Sequence, residues 1–265
     1  MHDITTPGRP PLRLMRSLNL FGLDFLDPIV LAALADARPL LLIGPHGTAK
    51  SELLNRVAAT LGLAHRHYNA SLISFDDLLG YPVPDADHGS IRYLRTPGDL
   101  WDAQSVFLDE ISRCRPETQN KLFSVVHEKR VQGLALPKLV YCWAAMNPPL
   151  TADSDPDDAY AGSLPLDPAL ADRFAYVVEL PALTDLAPEE RIALIARGGE
   201  APAAPPDLAA LVERTRQATA AADAADRAWT AKYVDALVAP LAEAGLPISG
   251  RRAVSLAGGI ASVRA

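Results

Sequence analysis

The sequence predicts an α/β fold: a three-layer domain on a parallel sheet, followed by a small all-α domain. Three observations predict it. Short apolar runs of strand length recur at residues 39–43 (PLLLI), 105–108 (SVFL), 138–145 (KLVYCWAA) and 174–180 (FAYVVEL). Helical patterns lie between them, notably 115–130 (RPETQNKLFSVVHEKR), and beyond Pro181 the chain turns Ala-rich and helical. With 265 residues, 49% of them hydrophobic, the chain can bury a large core with a smaller companion.

Taken in order, residues 1–20 read as an extended, proline-bearing leader, and residues 1–26 precede the first domain. Residues 27–37 (DPIVLAALADA) have helical spacing, and their Asp-Pro start suits an N-cap and first turn. The run at 39–43 has the apolar character of a strand buried on both faces of a parallel sheet. Residues 50–62 (KSELLNRVAATLG) form the next helix, closed by Gly62. The α/β domain extends over 27–186. Residues 198–207 (GGEAPAAPPD) are a loop or linker, and 187–265 make up the all-α domain.

A net charge of −7 and a pI of about 5.4 argue against a mainly electrostatic nucleic-acid or membrane binder. Cys114 and Cys142 share no motif spacing, which excludes a disulfide framework and a cysteine zinc site. The N-terminus lacks the apolar region of a signal peptide, and no apolar run reaches the roughly 18 residues of a membrane span. A cytoplasmic protein is expected.

Residues 44–51 (GPHGTAKS) follow a buried strand and open a helix. A phosphate needs successive backbone N–H groups pointing inward at a helix N-terminus. Gly44 and Gly47 relieve the sterics of such a turn, formed with Pro45, His46, Thr48 and Ala49. Lys50 would reach the β- and γ-phosphates, and Ser51 would complete a Mg2+ shell. The usual pattern has Gly where Ala49 stands; Ala is accommodated if this residue is right-handed, on the first helical turn. The plain alternative is an ordinary strand-to-helix turn.

In residues 105–111 (SVFLDEI) a strand ends in two carboxylates. Asp109 would bind Mg2+ through water, and Glu110 would orient and activate an attacking water. Asn147, ending the run YCWAAMNPP, can hold that water or the γ-phosphate without repelling it, or simply open a Pro-rich turn. Arg173, in LPLDPALADRF, offers a guanidinium to developing phosphoryl charge; the alternative is an ion pair with Asp172 or Asp167. Arg251 or Arg252, in ISGRRAVSL, opens a helix that could touch the γ-phosphate across a domain cleft, or lies on the surface.

Together these segments resemble AAA+ ATPases of the MoxR group, whose P-loop NTPase core carries a small helical lid. Residues 44–51 resemble that group's Walker A, where Ala before Lys is usual, though His46 replaces the usual Pro and is expected to be a solvated loop side chain. Residues 78–101 resemble its helix-2 insert, a helix interrupted by a hairpin. Residues 108–131 are similar to its Walker B stretch, MNPP to sensor 1, 166–174 to its arginine-finger segment, and SGRR to sensor 2. The resemblance spans residues 29–253 and implies that Lys50, Ser51, Asp109, Glu110 and Asn147 act in cis. It implies Arg173 in trans on ATP held by a neighbouring subunit, and Arg251 ahead of Arg252 as sensor 2. It further implies ATP and Mg2+ as ligands, a homo-oligomeric hexameric ring, a von Willebrand factor A (VWA) partner and remodelling or activation of a client protein, as in metal-cofactor insertion. The chain stops at Ala265, where the group's lid has further helices, which implies a truncated or minimal lid.

Two other classes compete: a nucleotide-gated binding module with negligible turnover, and a nucleic-acid motor or GTP-dependent restriction subunit. Residues 153–158 (DSDPDD) lack the Gly and Glu positions of a calcium loop and read as a solvated acidic loop. His65 and His67 lack a third ligand for a metal and read as surface or strand residues. In the insert, Tyr81, Ile91, Tyr93, Arg92 and Arg95 are candidates for gripping a substrate, or for packing on their own helix.

Overall fold

The computed structural model describes residues 12–85, 89–149, 166–197, 199–200, 207–222 and 224–265. Five parallel strands form the central sheet: β1 (Leu40–Ile43), β2 (His65–Asn69), β5 (Ser105–Asp109), β8 (Tyr141–Met146) and β9 (Tyr176–Glu179), in the order β2-β5-β8-β1-β9. Two small antiparallel hairpins complete the strands, β3 (Tyr81–Asp85) with β4 (Ser90–Leu94), and β6 (Arg130–Val131) with β7 (Leu134–Ala135).

The alternation of side chains along each strand builds two cores. Leu40, Leu42, Phe107, Trp143 and Ala145 face one side, while Leu41, Val106, Leu108, Cys142 and Ala144 face the other. On the first side the sheet is covered by α2 (Asp27–Asp36) and α3 (Lys50–Thr60), which contribute Val30, Leu34, Leu53, Leu54 and Val57. On the second it is covered by α4 (Phe75–Leu79) and α5 (Pro116–Phe123), with Leu78, Leu79 and Leu122. Burial on both faces explains why β1, β5 and β8 read as continuous apolar runs, whereas β9, at one edge, buries Tyr176 and Val178 and exposes Val177 and Glu179. The fifth, β2 (HRHYN), is an edge strand with no fully buried side chain, and its polar sequence concealed it. The helix expected over 115–130 is α5 continued by a π-helical turn, Ser124–Glu128.

The leader requires a correction. Residues 1–11 and 153–158 lie outside the described residues, as does most of the expected loop at 198–207. Residues 14–20 are not extended, however: α1 (Leu14–Ser17) is helical, and Leu14, Met15, Leu18 and Leu20 are buried in the first core. Asp27 holds this segment in place. Its carboxylate accepts the amide N–H of Leu14 and of Met15, each at 2.8 Å, rather than capping its own helix. The group is 1% exposed, and burial pushes its pKa up to about 6 against the pull of those two hydrogen bonds.

Beyond the short α6 (Pro168–Ala171) lie α7 (Pro188–Arg197), α8 (Leu208–Ala220), α9 (Ala224–Glu243) and α10 (Gly250–Arg264). Helices α8 and α10 pack on α2, and Leu208 and Val212 enter the first core. Asp36 pins the junction by accepting the Tyr176 and Ser262 hydroxyls, both at 2.6 Å. No described helix is long and apolar enough to cross a membrane. Cys114 and Cys142 are buried, free thiols whose pKa burial pushes up to about 12.

Candidate functional site

The parallel register sets the C-terminal ends of the strands side by side: Ile43 pairs with Met146, and Asn69 with Asp109. At such an edge α/β sheets assemble their sites. The loop after β1 begins at Gly44, whose N–H donates to the Met146 carbonyl at 3.2 Å. A Cβ on Gly44 would lie 2.9 Å from Thr48 Oγ1 and 3.0 Å from Leu180 Cβ, so only glycine fits. Gly47 has φ +76° and open space around it, so there the need is conformational.

Ala49 departs from expectation. It is not right-handed; with φ 61° and ψ 20° it is left-handed and forms the N-cap of α3. The chain turns from loop to helix at this one residue, which is why the general pattern has glycine here. Its methyl group cannot cap, and α3 has no side-chain N-cap bond. The first-turn amides of α3 therefore have neither an intrahelical acceptor nor a side-chain cap, at the positive end of an 11-residue helix.

Lys50 is 8% exposed, and its ammonium donates to the carbonyls of Gly44 and Pro45 at 2.7 Å each and to Asn147 Oδ1 at 3.3 Å. Burial pulls its pKa below the ordinary value, while the charges of Asp109 and Glu110 support the cation. The Thr48 hydroxyl donates to the Pro45 carbonyl at 2.8 Å, and His46 is exposed, as expected of a loop side chain. The Ser51 hydroxyl donates to Asp109 Oδ2 at 2.7 Å, and Asp109 Oδ1 accepts the Glu110 N–H at 2.9 Å. Glu110 is also left-handed, with φ 54°. Its Oε2 accepts from Asn69 Nδ2 at 3.2 Å and its Oε1 lies 3.3 Å from Arg113 Nη1. Sequence reasoning missed Asn69 and Arg113. The signal for Asn69 was available only through the β2–β5 register.

Lys50, Ser51, Asp109, Glu110 and Asn147, distant in sequence, thus meet at one sheet edge. A family model described as an AAA domain (dynein-related subfamily) matches residues 39–174, just over half of the chain and the whole of this site. The chain belongs to the AAA family. Members typically bind a nucleotide together with Mg2+. Among solved structures, this AAA chain is similar to a presumed ATPase from Cytophaga hutchinsonii, at 19% identity and a TM-score of 0.61. The match covers 93% of this chain and 76% of that one, and it supports the fold: an AAA+ P-loop core with a C-terminal helical lid.

The Ser51 hydroxyl and Asp109 carboxylate suit Mg2+, which takes hard oxygen donors and keeps much of its water. Among the described residues no group of three or more His, Cys, Asp or Glu side chains is placed to hold a metal ion.

The arginines of the AAA chain are placed differently. Arg173 lies against α5 and α6: its guanidinium is 4.6 Å from the Phe123 ring centre and donates to the Ala169 carbonyl at 2.5 Å. Asp167 instead caps α6, and Asp172 accepts the Ser249 hydroxyl at 3.2 Å. Arg252 donates to the Phe174 carbonyl, one residue from Arg173, whereas Arg251 is exposed. In the insert hairpin Tyr81 and Ile91 are 55% and 69% exposed, and Arg92 is exposed. Tyr93 instead packs near Trp101, and Arg95 is bound to Asp99 and Asp102.

Proposed function

We propose that this chain hydrolyses ATP as a subunit of a ring-shaped AAA+ assembly of the MoxR type that remodels or activates a client protein. The observation that carries the hydrolytic reading is the meeting of Lys50, Ser51, Asp109, Glu110 and Asn147 at one sheet edge. The loop amides and Lys50 bind and orient the phosphate chain, with the ammonium exchanging loop carbonyls for phosphate oxygens. Ser51 and Asp109 would hold Mg2+, which neutralises phosphate charge when bound. Glu110 takes the proton of the attacking water, and Asn147 orients that water or the γ-phosphate. Arg173, which lies against α5 and α6, serves the nucleotide of the neighbouring subunit. Arg251 or Arg252 reports the γ-phosphate to the lid. A VWA-domain partner and a hexameric ring complete the reading, on resemblance to the MoxR group, and the acidic net charge speaks against nucleic acid as the client.

The test is ATP hydrolysis by wild type and by Lys50→Ala. Loss of activity is expected; a Lys50→Ala protein hydrolysing at the wild-type rate overturns the reading. For the trans role, Arg173→Ala and Glu110→Gln subunits are mixed, and recovery of activity is expected because one intact interface re-forms. A specific rate that does not change on dilution to nanomolar protein would count against an obligatory assembly.

A further inference from the structure

The polar sequence of β2 has a use that the site described above leaves open. Ser105 is fully buried at the start of β5, and its Oγ lies 2.8 Å from His65 Nδ1. His65 Nε2 lies 3.2 Å from Asn55 Oδ1 on α3. The other atom of that amide, Asn55 Nδ2, lies 3.4 Å from His67 Nδ1, and His67 Nε2 lies 3.5 Å from Asp109 Oδ2. These contacts form one unbranched series, running from the buried Ser105 to the exposed His67. The His67 ring is held against Phe107, with centroids 4.4 Å apart.

Such a series can carry its hydrogens in either direction, because Asn amides and neutral imidazoles each have one donor side and one acceptor side. Asp109 breaks the tie. Its carboxylate accepts from Ser51 and from the Glu110 amide and has no hydrogen to give. His67 must therefore present Nε2–H to Asp109 and accept at Nδ1. Asn55 must then donate with Nδ2 and accept with Oδ1, His65 must carry Nε2–H, and the Ser105 hydroxyl must donate to His65 Nδ1. In this direction each contact of the series joins one donor to one acceptor; reversed, a bare ring lone pair would face a carboxylate oxygen.

We propose that Ser105, His65, Asn55 and His67 form one polarised hydrogen-bond chain ending on Asp109, which makes His67 a positioning residue for the carboxylate that holds Mg2+. The proposal rests on the assignment of Asp109 to Mg2+ given above. Outer partners of this kind fix a ligand's orientation, and their loss commonly weakens metal affinity by about 10–100-fold. His67 and Ser51 approach the same oxygen, so together with the Glu110 amide they fix both ends of the carboxylate before any cation arrives.

The experiment has two readouts on the full chain. Nitrogen-15 spectra of the neutral histidine rings, without nucleotide or Mg2+, are expected to show the hydrogen on Nε2 rather than on Nδ1 in both His65 and His67. An Nδ1–H tautomer of either ring overturns the chain. Separately, the free Mg2+ needed for half-maximal binding of a fluorescent ADP is measured. His67→Phe, which keeps the stacking on Phe107, is expected to raise it about tenfold, and His67→Gln, whose amide can still donate, to restore most of the loss. A midpoint within twofold of wild type in His67→Phe overturns the positioning role. If His67→Phe does not fold, Asn55→Ala, which touches no ligand of the ion, is expected to mix the His67 tautomers and raise the same midpoint; an unchanged spectrum and midpoint in that variant overturn the proposal. The spectra do not depend on turnover, so failure of the ATPase reading in Lys50→Ala is distinguishable from failure of the chain.

Discussion

At Ala49 a methyl group occupies a backbone with φ 61°, a conformation that costs an L-residue about 1–2 kcal/mol. Glu110 carries the same kind of strain, and both residues flank the ligands inferred for the phosphates and Mg2+. Replacing Ala49 by Gly removes the strain but gives the unfolded chain more freedom, worth about 0.4–1 kcal/mol in the other direction. The expected net effect of Ala49→Gly is a stabilisation of roughly 0.5–1 kcal/mol, seen as a rise of a few degrees in Tm by calorimetry. A lower Tm would show that the strain is compensated locally. The sequence expectation of a right-handed Ala49 failed because a one-residue turn into a helix is a property of the loop's path, which the residue type alone does not reveal.

At the scale of elements, the root of the insert hairpin is built around one buried carboxylate. Asp99, 1% exposed, accepts from Arg95 Nε and Nη2 at 2.6 and 2.9 Å, and from the amides of Thr96 and Trp101 at 3.0 and 3.2 Å. The Trp101 indole then donates to the Leu79 carbonyl at 2.9 Å, closing the insert onto α4. At the hinge between α4 and β3, Gly80 has φ +88°, and a Cβ there would lie 2.1 Å from the Leu94 carbonyl oxygen. Asp99→Ala leaves two inward amides without acceptors, so a loss of about 2–3 kcal/mol is expected in urea unfolding. Amide exchange across 81–94 should quicken with it; unchanged exchange would mean that the hairpin is held by other contacts. A hairpin in this segment was expected from resemblance to a known family, but whether Arg95 grips a substrate or packs on its own segment stayed open in the sequence, because its partners Asp99 and Asp102 lie across a turn.

Over the whole molecule, buried Asp27 and half-buried His65 titrate in opposite senses over nearly the same pH range. Asp27 has its pKa raised to about 6, so the folded state holds its proton longer than the unfolded chain does. Stability from this group is greatest below the unfolded value near 4 and is lost as pH rises through 6. His65 has its pKa lowered to about 4, chiefly by burial, with the charges of His67 and Arg66 adding to it. Its contribution is present above the unfolded value near 6.5 and is lost as pH falls through 4. Each amounts to as much as about 3 kcal/mol, so the two largely offset in the wild type. Relative to wild type, Asp27→Asn should gain stability between pH 4 and 7, and His65→Gln should lose it, as measured by urea midpoints at both ends. Parallel pH profiles for either variant and wild type would refute the assignment.

The sequence by itself determined the strands that are buried on both faces, because such strands must be apolar throughout, and it placed Lys50, Ser51, Asp109, Glu110 and Asn147 at their ends. Those positions follow from local pattern: a glycine turn before a helix, and polar residues terminating apolar runs. Only the tertiary structure decided that α1 belongs to the core, since Leu14 and Met15 are fixed by the carboxylate of Asp27, twelve and thirteen residues further on. Likewise it alone set Asn69 and His67 beside the carboxylates of β5, because strand register is a pairing between distant segments. The polar edge strand β2 carries no apolar signature, so its sequence showed no sign of the polar contacts that its position in the sheet creates.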